Sequence, residues 1–374
     1  MIARLVMLLL VLPSAAALGA PRRPPAPRIL EVATRGATAR LRWAPVAGAI
    51  AYRVYTGGAP GPSLRAAALV RGGARWSGAL PADGLLAGVV AAVDARGRTG
   101  PRSALVRWVQ LVRPWGLAAR PGGGLLLQDA HYAEPIELDA RGSALRFPRV
   151  LGRDLPGCYD VAVGAGGRTA AVHWGDARDP RPGLRLRRGG AVVDRRLKEG
   201  AGPGQLRKPM GIGLAPDGRV FVADTGNDRL QEFTADGRFV RVVGDDELEQ
   251  PMKVACGPDG RLYVADSGHN RVAIFAPGPG GRYRLVASLT GGMKEPVYVA
   301  LDARGRVWAS TNRNAGVYVL NDAGDVLLRF DGADGPPGSL VTGPRGIAFA
   351  AGGDALVVDE AARRIVRVTA PGPS

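Results

Sequence analysis

A four-strand unit that returns every 42 to 51 residues is the feature that most limits what this chain can become. Its clearest copy is Gly200 to Gly244, GAGPGQLRKPMGIGLAPDGRVFVADTGNDRLQEFTADGRFVRVVG. Pro209 opens it, and short apolar runs follow at Ile212 to Leu214, Val220 to Ala223, Arg229 to Phe233 and Phe239 to Val243. Turns at Pro216, Asp217 and Gly218, and again at Asp236 and Gly237, separate the runs, and Thr225 to Asp228 makes a corner. Short runs of β-formers cut by Asp-Gly turns predict an antiparallel meander, not helix. The opening proline returns as Pro114, Pro156, Pro209, Pro251, Pro296 and Pro344. Fifteen positions later, or seventeen in the second copy, comes the residue that ends the second strand: Asp129, His173, Asp224, Asp266, Thr311 and Asp359. Six copies occupy the chain from about Arg113 onward, and a period of roughly 20 to 50 residues marks a repeat architecture.

One column decides whether such units stack in a line or close into a ring. Four residues after the opening proline, with the second copy shifted by its two extra residues, stand Ala118, Ala162, Gly213, Ala255, Ala300 and Ala348. Just before them are the larger Leu117, Val161, Ile212, Val254, Val299 and Ile347. A strand beside a ring axis is crowded on one face and packs a neighbouring sheet on the other, so small and large side chains alternate strictly there. The expectation is an all-β chain in which residues 110–374 form a six-bladed β-propeller.

The proline-led opening, the run GRVFVADTGNDRL and the closing DGRFVRVVG resemble an NHL repeat, and DSGHNRV at Asp266 to Val272 repeats its core. The resemblance spans about 260 residues and is weakest in the second copy, where His173 replaces the aspartate and Asp179 to Gly183 is Pro-rich. It implies a six-bladed propeller of NHL repeats, a scaffold used by ligand-binding proteins and enzymes alike. Fold alone does not choose between them.

Ahead of the repeats, Arg4 precedes an apolar stretch, Leu5 to Leu12, and then Pro13, Ser14 and small residues through Ala17. The stretch is too short to span a bilayer, and Ala15 with Ala17, or Ala17 with Gly19, suits cleavage. Residues 1–19 therefore read as a secretory signal peptide, and the destination as secreted or periplasmic. No cysteine follows that would take a lipid anchor. Residues 20–27, APRRPPAP, read as a stiff linker. From Arg28 to Val109 twelve arginines stand against Glu31, Asp83 and Asp94, whereas the remaining residues to the C-terminus hold 35 basic and 30 acidic side chains. An anionic surface, such as lipid head groups or polysaccharide, would dock on this first module, unless the surplus is simply a solvated face. Alternating runs at Ala37 to Trp43, Ala51 to Thr56, Leu86 to Asp94 and Ala104 to Val109 predict a β-sandwich over residues 28–109. LRWAPVAGAIAYRVY, followed by VAAVDARGRTGPRS, resembles a fibronectin type III domain, although Leu86 stands where that family usually has tyrosine. The resemblance implies a spacer or a binding module.

The sixth copy ends at Val368 and Thr369, after its third strand. Propellers commonly close with a strand borrowed from the other end of the domain, and Leu105 to Leu111 is the candidate. The same residues also serve as the last strand of the sandwich, so two readings stand. In both, the domains are tightly joined.

Among groups that carry chemistry, Asp224 with Arg229, Asp266 with Arg271, and Asp359 with Arg364 place a carboxylate at the end of one strand and a guanidinium at the start of the next. Such a pair braces a corner, and its recurrence marks it as structural. Glu134, Arg178 and Gly316 break the pairing in the other copies, while Asn227 and Asn314 suit the turn's backbone groups. His131, His173 and His269 share one face of the ring but lie in separate corners, and metal ligands must approach to about 2 Å, so no metal is expected. Propeller enzymes resembling the peptide amidating lyase carry zinc histidines just after the opening proline. Here those positions are Trp115, Gly157, Met210, Met252, Val297 and Arg345. The calcium-dependent lactonase relatives carry an acidic residue near the first opening, and VRPWG, Val112 to Gly116, has none. Nor is there a GxSxG elbow or an HExxH helix.

The mouth of the ring is assigned to Trp115, Lys208, Met210, Met252, Lys253, Tyr298, Arg313 and Arg345. Aromatics, thioethers and cations suit binding better than chemistry, and they either plug the channel or recognise a ligand. Cys158 and Cys256 fall in first strands that are not neighbours, too far apart for a disulfide, whose Cα atoms lie within about 7 Å. Nucleic acid is set aside because of export and the mild charge of the repeats. The resulting expectation is an exported, non-catalytic binding or scaffold protein that takes a protein, peptide or glycan through the mouth and needs no cofactor. The alternative is a metal-dependent propeller enzyme of the lyase or lactonase type.

Overall fold

The computed structural model describes residues 23–35, 37–58, 64–80, 85–109, 111–121, 123–130, 135–139, 158–174, 181–188, 191–330 and 341–368. Residues 1–19, expected to be a signal peptide, and His131, Glu134, Pro156, Gly157, Arg178 and the side chain of Cys158 lie outside the described residues. Among the described residues every regular element apart from three single-turn 3-10 segments is a strand, and no helix is long and apolar enough to cross a membrane.

Two facing sheets make the first unit. Ile29–Arg35, Thr38–Trp43 and Arg75–Ala79 form one, and Arg65–Arg71, Ala49–Gly58, Leu85–Asp94 and Thr99–Arg102 form the other. Strand period sends alternate side chains inward. Ala39, Leu41 and Trp43 thus meet Tyr52, Val54, Val90 and Ala92 in one core. The Tyr52 hydroxyl accepts the Val46 amide at 2.7 Å and so has a partner although it is buried. Pro24 and Pro27 are buried, and the Pro24 carbonyl fills the space that a Cβ on Gly100 would need. This part of the proline-rich stretch therefore lies against the sandwich instead of spanning a gap. Val106–Val109 pairs antiparallel with Leu85–Gly88, so the run that was a candidate to close the ring extends the second sheet of the first unit.

Six further sheets follow in chain order. The first holds Pro114–Ala119, Leu125–Asp129 and Ile136–Leu138, and the second Cys158–Val163, Thr169–His173, Gly183–Arg188 and Ala191–Arg196. The third holds Gly211–Leu214, Val220–Asp224, Arg229–Phe233 and Phe239–Val243, and the fourth Pro251–Cys256, Leu262–Asp266, Arg271–Pro277 and Tyr283–Leu289. The fifth holds Pro296–Leu301, Val307–Thr311, Val317–Leu320 and Val326–Phe330, and the sixth Pro344–Phe349, Ala355–Asp359 and Arg364–Val368. Their first strands touch in cyclic order, from the first sheet to the sixth and back, so the sheets surround one axis in a propeller-type arrangement.

Apolar cores fill the seams between sheets. Phe221, Val254 and Phe275 sit between the third and fourth, Tyr263, Val299 and Tyr318 between the fourth and fifth, and Trp308, Ile347 and Val357 between the fifth and sixth. Each such side chain, fully buried, contributes roughly 1.5–3 kcal/mol. The seam between the sixth and first sheets also takes in Leu85 and Leu111, which joins the sandwich to the ring through a shared core.

The columns of the inner strands are legible in the coordinates. Leu117, Val161, Ile212, Val254, Val299 and Ile347 are all buried. Of their small neighbours, Gly213 and Ala348 are buried, and Ala118, Ala162, Ala255 and Ala300 are half-buried. A Cβ on Gly213 would stand 2.7 Å from the Val254 carbonyl, so that position admits no larger residue.

One irregularity positions the site. Pro251 pairs with Asp266, but Lys253 pairs with Ala265, and the same slip recurs at Cys158 and Asp160, at Pro296 and Tyr298, and in the first and sixth sheets. The strand opening thus carries one extra residue, a β-bulge, which re-aims the side chains around it. In the second sheet it is Cys158, not Pro156, that occupies the opening position, because Cys158 pairs with His173 as Pro251 pairs with Asp266.

Candidate functional site

Two residues past each opening position stand Gly116, Asp160, Gly211, Lys253, Tyr298 and Gly346. Three large polar side chains and three glycines complement one another around the axis. The Lys253 Nζ donates to Asp160 Oδ2 at 2.5 Å and to the Ile212 carbonyl at 2.8 Å, and lies 4.6 Å from the centre of the Tyr298 ring. Asp160 Oδ2 also accepts the Ile212 amide at 2.8 Å. The Tyr298 hydroxyl shares its proton between Asp160 Oδ1 at 3.2 Å and the Leu117 carbonyl at 3.1 Å. A Cβ on Gly116 would stand 2.5 Å from Asp160 Oδ1, so the glycine makes room for the carboxylate. Groups from the first five sheets are thereby tied in one layer that crosses the axis.

Asp160, Lys253 and Tyr298 are 1%, 6% and 2% exposed, so all three are buried within the ring. This corrects the placement of Lys253 and Tyr298 in the mouth: the bulge turns them onto the axis, one level down. Burial pushes the Asp160 carboxyl up from its ordinary range, against the pull of Lys253 and of the Ile212 and Val161 amides. Burial, together with the Asp160 charge, holds the Tyr298 hydroxyl well above its usual value. Asp160 escaped sequence reasoning, although a column made of three glycines and three large polar residues was the available signal.

Above this floor lie the residues that directly follow the opening positions, Trp115, Tyr159, Met210, Met252, Val297 and Arg345. Val297 is buried; the other five are half-buried. The Arg345 guanidinium sits 4.8 Å from the centre of the Trp115 ring, and its Nε pairs with Glu360 Oε2 at 2.8 Å. Trp115 meets the Tyr159 ring edge-on at 6.4 Å, and Tyr159 packs on Trp174 at 4.4 Å. The Trp174 indole donates to the Pro209 carbonyl at 2.7 Å, which ends an arc running from the sixth sheet to the third. Met210 and Met252 continue the rim. Neither Tyr159 nor Trp174 was singled out from sequence.

Lys208 stands exposed beside the opening with φ of 45°, and Gln250 and Glu295, each before an opening proline, have φ of 50°. Left-handed backbone costs a non-glycine residue roughly 1–2 kcal/mol. Two of these residues are held by the preceding corner: the Gln250 amide donates to Asp228 Oδ1 at 2.7 Å and the Glu295 amide to Asn270 Oδ1 at 2.9 Å. Arg313 is 77% exposed and only 3.7 Å from Glu295 Oε1, out on the rim and away from the aromatic arc.

At the corners, Asp224 accepts the Arg207 amide at 2.7 Å, Arg229 Nε at 2.9 Å and Asn227 Nδ2 at 2.9 Å. Asp266 accepts the Glu249 amide at 2.8 Å and Arg271 Nε at 2.7 Å. Asp359 accepts the Gly343 amide at 3.0 Å and, more loosely, Arg364 Nε at 3.4 Å. Each carboxylate thus joins the lead-in of its own sheet to the next strand. Where Thr311 replaces it, the Thr311 hydroxyl accepts the Gly316 amide at 3.1 Å. Asn314 reaches across to the Tyr318 hydroxyl at 2.6 Å.

His173 has its Nε2 3.3 Å from Asp194 Oδ1 and its Nδ1 3.5 Å from Arg196 Nη1. Burial, and then the Arg196 charge, lower its pKa to about 4 against the pull of Asp194, so the ring is neutral at pH 7. His269 pairs instead with Asp266 Oδ2 at 2.9 Å. Among the described residues no cluster of His, Cys, Asp and Glu has metal-site geometry. Cys256 is a free thiol that burial pushes up to about 12, far from the reactive thiolate range.

Comparison with known proteins places this geometry in context. Residues 248–275 match the NHL repeat family model. Over 43 residues the chain is 51% identical to protein lin-41 of Caenorhabditis elegans, a match that takes in 12% of this chain and 4% of that protein. Among solved structures, a gluconolactonase of Xanthomonas campestris is 19% identical, with a TM-score of 0.53 over 70% of this chain and 87% of that one. Regucalcin of Agrobacterium tumefaciens, described as a calcium-binding protein, is 16% identical, with a TM-score of 0.50 over 70% of this chain and 93% of that one. At these identities the likeness is one of propeller-type fold.

Proposed function

We propose that this is an exported protein in which a fibronectin type III-like module, residues 28–109, precedes a six-bladed propeller of NHL-type repeats, residues 110–374, and that the proline face of the ring binds a protein, peptide or glycan. The observation that carries the binding site is a closed axis beneath a half-buried rim. Asp160, Lys253 and Tyr298 close the axis, and Trp115, Tyr159, Met210, Met252 and Arg345 form a half-buried rim above them. Aromatic anchors with a few fixed polar groups in a concavity are the usual makings of recognition. The cyclic contacts of the six first strands and the NHL match support the propeller, and the two facing sheets support the sandwich. The leader sequence supports export. The arginine surplus of the first module supports a secondary contact with an anionic surface.

A second reading is a metal-dependent enzyme of the lactonase or lyase type. The names of the structural neighbours, gluconolactonase and a calcium-binding regucalcin, favour it over a scaffold without chemistry. One experiment separates the two. The full chain, as wild type and as Trp115→Ala, is exposed to cell-envelope extract, the retained species is identified, and its affinity is measured with and without chelator. Loss of about 2 kcal/mol in Trp115→Ala, roughly thirtyfold, with no effect of chelation, is the expected outcome. Equal affinity in the variant would sink the mouth as the site. Lactone turnover abolished by chelation would install the enzyme reading in its place.

A further inference from the structure

Among the described residues, the seam between the first and second ring sheets has the smallest buried cluster of the ring. Among the described residues its buried cluster is Leu126, Val161 and Ala171, with Ala118 and Val163 half-buried beside it. No aromatic side chain wedges this cluster, whereas Phe221, Tyr318 and Trp308 wedge the third-to-fourth, fourth-to-fifth and fifth-to-sixth seams, and Leu117, Leu127 and Ile136 fill the sixth-to-first seam that also lacks one. Side chains this small leave space between two splayed sheets, and a cleft of about 810 Å³ opens there. Its inner walls are Leu126, Val161 and Val163, and its lips carry Arg120, Arg185, Arg187, Glu137 and Asp194.

A second observation lies deeper in the same seam, outside the residues that line the cleft. Gln128 is fully buried; its Nε2 donates to the Asp129 carbonyl at 3.1 Å, but its Oε1 has no partner. On a strand, residues two apart share a face. Gln128 therefore faces the way Leu126 does, and Leu126 packs on Val161 of the second sheet. A buried acceptor with no donor is costly unless something brought to it donates.

The lips supply the third. Glu137 is gripped by Arg187 at 3.2 Å and Arg120 at 3.5 Å, and Asp194 by Arg185 at 3.0 Å. Three guanidinium groups against two carboxylates leave a positive surplus at the opening of an apolar-walled cleft. We propose that this seam binds an amphiphilic organic anion. Its apolar body enters between Leu126, Val161 and Val163, and its anionic head stays among the lip arginines. The cleft falls in the range of roughly 300–1,000 Å³ typical of sites for ligands of drug-like size.

The test titrates the full chain with 8-anilinonaphthalene-1-sulfonate, an aromatic body bearing one sulfonate, and displaces the dye with decanoate. One saturable, displaceable site per chain is expected. Val163→Phe, which fills the wedge, abolishes it. Because that variant can fail to fold, two lip variants carry the sign of the argument: Arg187→Gln weakens binding about fivefold and Glu137→Gln strengthens it by a similar factor, with unchanged melting curves. Absence of a saturable site overturns the proposal. So does undiminished binding in folded Val163→Phe, or lip variants whose effects share one sign.

Discussion

Replacing Lys253 by Met keeps the length of the side chain and removes only the ammonium group. Asp160 then loses the donor at 2.5 Å and keeps the Ile212 amide and the Tyr298 hydroxyl, in a site where it is 1% exposed. Removing one partner of a buried ion pair costs roughly 3–5 kcal/mol, because the other charge stays buried and uncompensated. For a ring of this size that is a fall in Tm of roughly 10 °C. The sign of the pH dependence follows. Burial already raises the Asp160 carboxyl in the wild type, and loss of Lys253 raises it further above the unfolded value of roughly 4. Between those two values the folded variant holds a proton that the unfolded chain does not, so its stability is full below the unfolded pKa and falls as pH rises toward the folded one, by up to about 1.4 kcal/mol per unit. Relative to wild type, the variant thus regains stability on acidification. Pairing it with Asp160→Asn removes the stranded charge and recovers most of the loss. Urea denaturation of the four proteins, read from midpoints at constant m, closes the cycle. A loss below about 1 kcal/mol in Lys253→Met, or strict additivity with Asp160→Asn, would show that the axis is not held by this pair.

Three further outcomes are expected. His173 has a folded pKa of about 4, below the ordinary 6.5, so the unfolded chain binds its proton first as pH falls; stability worth about 3 kcal/mol is present above 6.5 and lost between 6.5 and 4, and Asp194, also lowered, acts in the same direction. His173→Gln should flatten that slope in acid denaturation followed by circular dichroism. Asp266→Ala strands Arg271 and leaves the Glu249 amide without its acceptor, which should lower stability by about 3 kcal/mol and raise amide exchange first in the fourth sheet. Gly211→Ala drives a Cβ into the Met252 carbonyl and the Lys253 Cα, so a loss of roughly 1–3 kcal/mol is expected, where an open glycine such as Gly352 should tolerate alanine.

Strand limits were legible where turn chemistry fixed both ends: Arg229–Phe233 and Phe239–Val243 run between the same residues in sequence and structure. Arg65–Arg71 and Arg75–Ala79 were not, because RAAALVR lacks β-branched alternation and is held extended by pairing with Ala49–Gly58. The mouth was half legible. Trp115, Met210, Met252 and Arg345 follow the opening prolines directly, but a pure repeat count does not register the one-residue bulge, and a slip of one turns a side chain to another face. Hence Lys253 and Tyr298 were placed at the mouth instead of on the axis. Tyr159 and Asp160 stayed hidden because the second copy opens at Cys158; counted from Pro156, the mouth residue is Gly157. The corner carboxylates were plain from their spacing alone.

The central claim is that a ligand sits on the proline face, over a closed axis. Crystals of the full chain grown with the species retained from envelope extract would locate it by difference density. The account predicts density against Trp115, Tyr159 and Met252, above an intact Asp160–Lys253 pair. Density on the opposite face of the ring, or on residues 28–109 with an empty mouth, would contradict it.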